Sequence, residues 1–324
     1  MKIVNSSANS RFSYVRAGLL LTSSLGLTGL SLAQAEPIRN ERTAAALFLR
    51  PVAGATPQKA DRFTTFRFSL ANELRRSPST FEDAETWRLR MLHGQKNARN
   101  QFWWVEVPLV ARNGGVLDPL INAWHRAFVD DGVPLRRTQG YGGSVLDLPG
   151  AGRVNSAWGW GDITLAAGQA WGPWQGSAYL KLPTGDAAKL LGSGTWDVAL
   201  AAEYLSPAWG RARFWGMTSV TWVGPGGRLD RIRRVVPHHT LGAQYDFGPG
   251  IGFLQWDAEP APQRLQDFAG DPHRIITLGW RWQKGAWSYA AWMSQDGDWG
   301  PVSFPGGARI GPDMTLGLRL QRRF

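Results

Sequence analysis

The chain has 324 residues, 43% of them apolar, with no cysteine and a formal charge of +11. Disulfides, thiolate metal sites and a catalytic thiol are therefore excluded, and no run after Ala35 approaches the roughly 18 consecutive apolar residues of a membrane-spanning helix. A basic balance raises nucleic acid as a partner, but Lys and Arg are spread over most of the chain, no nucleic-acid motif is present, and the chain begins with an export signal.

That signal is residues 1–35. Lys2, Arg11 and Arg16 form a basic start, Ala17 to Leu32 is an apolar run, and Ala33, Gln34 and Ala35 make an A-x-A cleavage site before Glu36. Losing its three cations leaves a mature charge of +8. The expected organisation is a signal peptide at 1–35 and one domain at 36–324. With no spanning helix, an exported chain that enters a membrane must do so as a closed β-barrel, the other structure that satisfies its backbone hydrogen bonds in lipid. The 18 Trp and 39 Gly suit that reading, because Trp favours bilayer interfaces and Gly supplies tight turns. About 290 residues fit a barrel of about 12–14 strands at roughly 20 residues per strand and turn.

Residues 36–42 read as a short periplasmic lead, and Ala44 to Leu49 as a first strand. The second strand is clearer: Phe66, Phe68 and Leu70 alternate with Thr65, Arg67, Ser69 and Ala71, and a turn follows at Ser77, Pro78 and Ser79. Next, Trp87, Leu89 and Met91 alternate with Arg88 and Arg90, as expected of a lipid-facing wall backed by a wet lumen. A fourth strand covers about Phe102 to Val110.

One helix follows. Asp118 is an N-cap with Pro119 at the first helical position, and Leu120, Ile121, Trp124 and Phe128 form an apolar stripe. It is too short to span a bilayer. Either it packs against a barrel mouth or wall, or it folds into the lumen as a constriction, with Asp118, Trp124 and His125 as candidates.

From Tyr141 the hairpin rhythm is regular, with strands at about 141–148, 161–170, 176–183, 195–204, 211–222, 239–247, 250–258, 273–283, 286–294 and 313–324. The connections alternate between short (WGPWQ, SPAWG, FGPG, QKGA) and long, the asymmetry of short periplasmic turns and long extracellular loops. With both termini periplasmic, every long connection falls outside. The expected fold is all-β: a transmembrane antiparallel barrel of about fourteen strands, or twelve if the weak first strands fail, with one short helix in a connection. Its polar faces hold Arg67, Arg88, Arg90, Lys181, Asp197, Glu203, Arg213, Asp246, Arg281 and Arg319 as lumen-lining candidates, for either a water-filled pore or a salt-bridged interior.

The final stretch, DMTLGLRLQRRF, alternates Met314, Leu316, Leu318 and Leu320 with Thr315, Gly317, Arg319 and Gln321. Ending on an aromatic carboxylate after such a strand, it resembles the C-terminal signature of Gram-negative outer-membrane barrels, which implies Phe324 as the signal read by the barrel assembly machinery. Arg322 departs from the apolar residue usual at that position, although a long Arg can snorkel. The stretches WGWGD (158–162), AYLKLPTGD (178–186) and LGSGTWD (191–197), with GVLDPLINAWH (115–125), resemble domain-of-unknown-function family 3187, uncharacterised outer-membrane barrels. Similar elements occur in barrels associated with aromatic-compound catabolism and, loosely, in long-chain fatty-acid transporters. The resemblance implies an outer-membrane, transporter-like, porin-like barrel and supplies no substrate.

Pro183 to Asp186 read as a strand end turning into a loop, or as an Asp186-lined vestibule. Arg228, Arg231, Arg233 and Arg234 are candidates for anion binding, by lipopolysaccharide phosphates or an anionic ligand, against an ordinary solvated loop. His238 and His239 point to opposite faces of a strand, a poor arrangement for a metal. Enzyme candidates, His273 near Asp271 and His125 with Asp118, lack a paired nucleophile. The expectation is a monomer in the outer membrane of a Gram-negative bacterium, without cofactor or metal, in contact with lipid and lipopolysaccharide. It is a passive channel or transporter for a small anionic or amphipathic solute; the alternative is a closed structural or interaction barrel that binds lipopolysaccharide or a protein.

Overall fold

The computed structural model describes residues 35–56, 61–119, 123, 144–296 and 314–324. Residues 1–34 of the expected signal peptide, and Trp124 and His125 of the expected helix, lie outside them; Ala35, the last residue of that peptide, is described.

Among the described residues fifteen strands form one sheet: β1 (Asp61–Arg76), β2 (Phe81–Lys96), β3 (Gln101–Asn113), β4 (Val145–Leu148), β5 (Gly152–Asn155), β6 (Ala157–Trp160), β7 (Thr164–Trp171), β8 (Trp174–Lys181), β9 (Asp197–Leu205), β10 (Ala212–Val223), β11 (Val235–Asp246), β12 (Ile251–Glu259), β13 (His273–Lys284), β14 (Trp287–Asp296) and β15 (Met314–Arg323). Twelve of them close an antiparallel barrel. β1 pairs with β2, β2 with β3, β3 with β7, each of β7 to β14 with its successor, and β15 returns to β1 from Phe63 opposite Arg323 to Asn72 opposite Met314. Closure removes the sheet edges that lipid would not tolerate.

The three short strands stand outside this ring. β4 pairs with the start of β2 and carries β5. β6 continues the line of β7 along β3, beyond a kink at 161–163 beside Pro108, which has no N–H for a ladder. One barrel end carries tight turns such as Asn97–Asn100 and Phe247–Gly250; we call it the turn end. The other, the loop end, carries β4 to β6 and the 182–196, 224–234 and 260–272 connections.

The expected period-two faces are present. Leu165, Leu200, Leu241, Leu254, Leu278 and Leu318 point outward and are exposed, as lipid-facing side chains must be. Trp158, Trp160 and Trp196 ring the loop end, and Trp171, Trp174 and Trp209 the turn end. Arg322 is outward too, its guanidinium 5.4 Å from the Trp287 ring and 4.8 Å from the Phe324 ring, so a cation next to lipid is covered by two aromatic faces.

Two of the fourteen expected strands are not part of the ring. Ala44 to Leu49 is not a strand: Thr43–Ala46 is a single helical turn, α1, inside the barrel. A short apolar run cannot be told from a buried helical segment by its pattern alone. The 141–148 strand is only β4, outside the ring. Nor is 36–42 a periplasmic lead, since Glu36, Asn40, Glu41 and Arg42 are all buried in the lumen.

Candidate functional site in the barrel lumen

Residues 35–56 fill the lumen as a folded-back strap. The outgoing arm starts towards the turn end, where Glu36 meets Arg281 and Arg319, and reaches the loop end at Arg42 and Thr43, bonded to Glu82 and Glu73. α1 reverses the chain, which descends past Leu49, bonded to Asp197 and Thr221, to Gly54, whose N–H reaches Glu203 at 3.0 Å. Gly54 has φ +69° and lies on the backbone of Ala35, where a Cβ would overlap the carbonyl oxygen. Only glycine fits there, and it lets the two arms touch.

Apolar side chains of the strap sit on three apolar patches, two on the ring and one shared with β4. Ala35, Ile38 and Ala53 pack with Trp215, Phe253 and Trp292; Leu49 and Val52 with Phe63, Phe102 and Trp104; Ala44, Leu47 and Phe48 with Leu146, Leu148 and Val223. The wall is shaped for this. Trp215 lies directly across from Gly242, and Trp292 across from Gly317, and a Cβ on either glycine would meet the indole at 2.1 or 2.0 Å. Missing side chains let the rings lie flat along the sheet and leave room for the strap.

The ionic contacts are more specific. Arg90 of β2, Arg67 of β1 and Arg319 of β15 are directly opposite one another in register. The row continues through Ala290 of β14 to Arg281 of β13. Neighbouring strands are about 4.8 Å apart, and like charges in register repel, so this row needs counter-ions. The strap supplies two. Glu36 binds Arg319 (Nε to Oε2 2.9 Å) and Arg281 (Nε to Oε1 3.1 Å). Glu41 takes Arg90 in a fork, with Nη2 2.7 Å from Oε2, and Arg88 at 3.1 Å. The third comes from the wall: Glu106 of β3 binds Arg67, and Arg39 of the strap at 3.2 Å.

Elsewhere the pairing is reversed, with strap cations on wall carboxylates: Arg42 on Glu82 and Arg50 on Glu259. Lys181 is a junction. Its Nζ donates to Asp162 (2.8 Å), Ser193, the Thr195 carbonyl (3.1 Å) and the Leu47 carbonyl of the strap (3.0 Å), with Asp197 3.2 Å away. A buried ammonium with two carboxylates and further acceptors has the satisfaction that such a charge requires.

Of the candidate lumen residues, Arg67, Arg88, Arg90, Lys181, Asp197, Glu203, Arg281 and Arg319 lie buried on inward faces. Arg213 and Asp246 lie at the turn end: Arg213 lines a cavity of about 360 Å³ together with Lys96 and Glu203, and Asp246 accepts the Gly248 N–H of a turn at 2.8 Å. Asp118 is buried, with the Asn72 amide 3.3 Å away. The structure does not gather the basic loop into one site. Arg228, Arg233 and Arg234 each donate to backbone carbonyls, of Ala151 and Ala188, Ala261, and Gly224 respectively. Asp186 caps the short helical turn 187–189, accepting from the N–H groups of Ala188 and Lys189, which is its turn role.

His238 faces Asp257 inside at 3.4 Å while His239 faces Thr218 outside. His273 is sealed between Asn40, Arg42 and Glu259. At the loop end, Asp267 accepts from the N–H and hydroxyl of Ser79 at 2.9 and 2.6 Å. Desolvation pushes its carboxyl upward, but the serine hydrogen bonds outweigh it and hold the group below its ordinary range.

Sequence reasoning missed the strap and the wall acids Glu73, Glu82, Glu106 and Glu259. The acids had a signal, since each lies on the inward parity of its strand: Glu82 is in phase with Arg88 and Arg90, and Glu106 with Phe102 and Trp104. The strap had only a faint one, five charged residues between Glu36 and Arg50 in a segment with no strand alternation.

A solved outer-membrane channel from Pseudomonas putida F1 superposes with a TM-score of 0.53 at 14% identity, over 83% of this chain and 97% of that one. The two chains share the fold of an outer-membrane barrel. The NanC porin (TM-score 0.43, 8% identity, 81% and 98% coverage) and the toluene transporter TbuX of Ralstonia pickettii (0.39, 9%, 82% and 90%) are more distant. No protein-family model and no curated protein matches the chain, which neither supports nor contradicts the family resemblance of its WGWGD and AYLKLPTGD stretches.

Proposed function

We propose that the chain is a passive outer-membrane channel for a small anionic or amphipathic solute, closed at rest by residues 36–56. The arginine row carries this reading. Four in-register guanidinium groups would be a costly way to hold a permanent plug, since buried ion pairs rarely stabilise more than apolar packing of the same volume. They are well suited to a path for anions, with Glu36 and Glu41 occupying the places that solute carboxylates would take when the strap moves. Residues 1–35 direct export, Phe324 directs assembly, the loop end faces outward, and the barrel works as a monomer. An enzyme is disfavoured because His273 is sealed within the strap contacts.

Single-channel conductance in planar bilayers tests this, comparing the full chain with a variant lacking residues 36–56. The expected result is brief openings in the first and steady, anion-preferring conductance in the second. Cation preference in the deletion variant would remove the solute class. Silence in both, with a heat-modifiable barrel intact on a gel, would remove the channel and leave the other reading, a closed barrel that binds lipopolysaccharide or a protein. One observation favours that second reading: among the described residues, the strap is bonded to side chains from nine of the twelve ring strands, β1, β2, β3, β8, β9, β10, β12, β13 and β15.

A further inference from the structure

A second charged feature lies at the loop end, apart from the lumen. β5, β6 and the 182–196 and 224–234 connections frame an open groove of about 450 Å³, lined among others by Arg153, Trp158, Lys189 and Arg228. Its backbone is fastened on two sides. From the inner face, Arg112 donates to the carbonyls of Asn155 and Lys189, each at 2.9 Å. From the rim, Arg228 donates to Ala151 at 3.0 Å and Ala188 at 3.3 Å.

The charges in this groove are not balanced. Arg153 is exposed and makes no ion pair among the described residues. Lys189 shares Asp186 at 3.3 Å, and Arg228 keeps donors beyond the two it gives to carbonyls. The groove thus presents three cations against two carboxylates, Asp186 beside Lys189 and the exposed Asp147, which lies directly opposite Arg153 in the β4–β5 register. Directly on its turn-end side, Trp158 (75% exposed) and Trp160 (55%) project from the outward face of β6, opposite Ala111 and Leu109 of β3. That face continues into the leucine belt of the wall. Cations above an exposed indole pair, above an apolar wall, match an amphiphile whose anionic head lies at the interface and whose chains run down the barrel.

We propose that this groove binds the phosphate of an outer-leaflet glycolipid, with its acyl chains along Trp158 and Trp160. The proposal rests on the reading of the chain as an outer-membrane barrel with its loop end outward. It does not rest on conduction, so a barrel that stays silent in bilayers leaves it standing.

Inorganic phosphate is the other source of the same chemistry, and the test separates the two. The detergent-solubilised full chain is titrated with bisphosphorylated lipid A, with the dephosphorylated lipid and with inorganic phosphate, by native mass spectrometry and tryptophan fluorescence. The bisphosphorylated lipid is expected to bind best, and Arg153→Ala, whose side chain holds nothing else in place, to weaken it about ten-fold, the worth of one charge-assisted hydrogen bond. Arg99→Ala, an exposed cation at the turn end, should leave binding unchanged. Equal binding of the dephosphorylated lipid, equal binding of inorganic phosphate alone, or an Arg153→Ala variant indistinguishable from the parent would each overturn the proposal.

Discussion

The wall and the strap are both removed from water, and they achieve it by opposite chemistry. The wall obeys a simple rule: alternate residues face outward and are mostly apolar, and its backbone is satisfied by neighbouring strands. The strap has almost no regular structure and no neighbour of its own kind. Between Glu36 and Arg50 it buries Glu36, Glu41, Arg42 and Arg50 at 5% exposure or less, and it is held by side chains from the wall. The wall therefore stands without the strap, whereas the strap has no fold without the wall. This asymmetry makes a barrel with a movable interior physically reasonable.

Deleting residues 36–56 should have the largest effect on stability of any change considered. It leaves Arg90, Arg319 and Arg281 without their strap carboxylates and bares three apolar patches. The unfolding free energy from denaturant titration should fall by more than the about 3–5 kcal/mol of a single broken buried pair, while the barrel still closes. A variant that no longer gives a heat-modifiable band would mean that the strap nucleates the wall, and the asymmetry would be wrong.

Lys181→Met comes next. It strands Asp162 and Asp197 without their cation and releases the Leu47 carbonyl, at an expected cost of about 3–5 kcal/mol in equilibrium unfolding. Because Lys181 joins wall to strap, the variant should also open more often in bilayers. A stability loss with unchanged opening would make Lys181 a fastener of the 182–196 connection alone.

Glu41→Gln is smaller. The amide keeps one acceptor for Arg88 or Arg90 but removes the charge, so about 1–3 kcal/mol should be lost. Its openings should become more frequent and remain anion-preferring. Openings that turn cation-preferring would mean that Arg88 and Arg90 do not line the path.

These differences also explain what could be read in the chain beforehand. Period-two alternation in residues 65–71 or 314–321 is enforced by two solvents, so strands, faces and the alternation of connection lengths were legible, as were arginines in phase with them. The ring has twelve strands, the lower of the two expected counts, because apolarity and spacing at Ala44 to Leu49 and 141–148 do not distinguish a wall strand from a luminal turn or a strand above the rim. The strap was not legible because its order comes from partners distant in sequence: Glu36 and Arg319 are 283 residues apart. The basic loop differs for the opposite reason. Its arginines are local in sequence, but three of the four are used to hold backbone carbonyls.

The smallest expected effect tests the wall's rule from its outer side. Arg322 breaks the alternation as an outward cation two residues before the terminus, and the rings of Trp287 and Phe324 cover it. Exposed cation–π contacts are worth about 0.5–1 kcal/mol, so Arg322→Ala should lower thermal stability slightly, and conductance and selectivity should not change, because the side chain never faces the lumen. Arg319→Ala, three residues earlier on the inward face, should alter both, since it takes a member from the arginine row and leaves Glu36 with Arg281 alone. The two substitutions remove the same charge from the same strand and differ in the face they occupy. Equal effects on conductance would mean that the register of β15 against β1 is shifted by one residue, which would turn the arginine row outward.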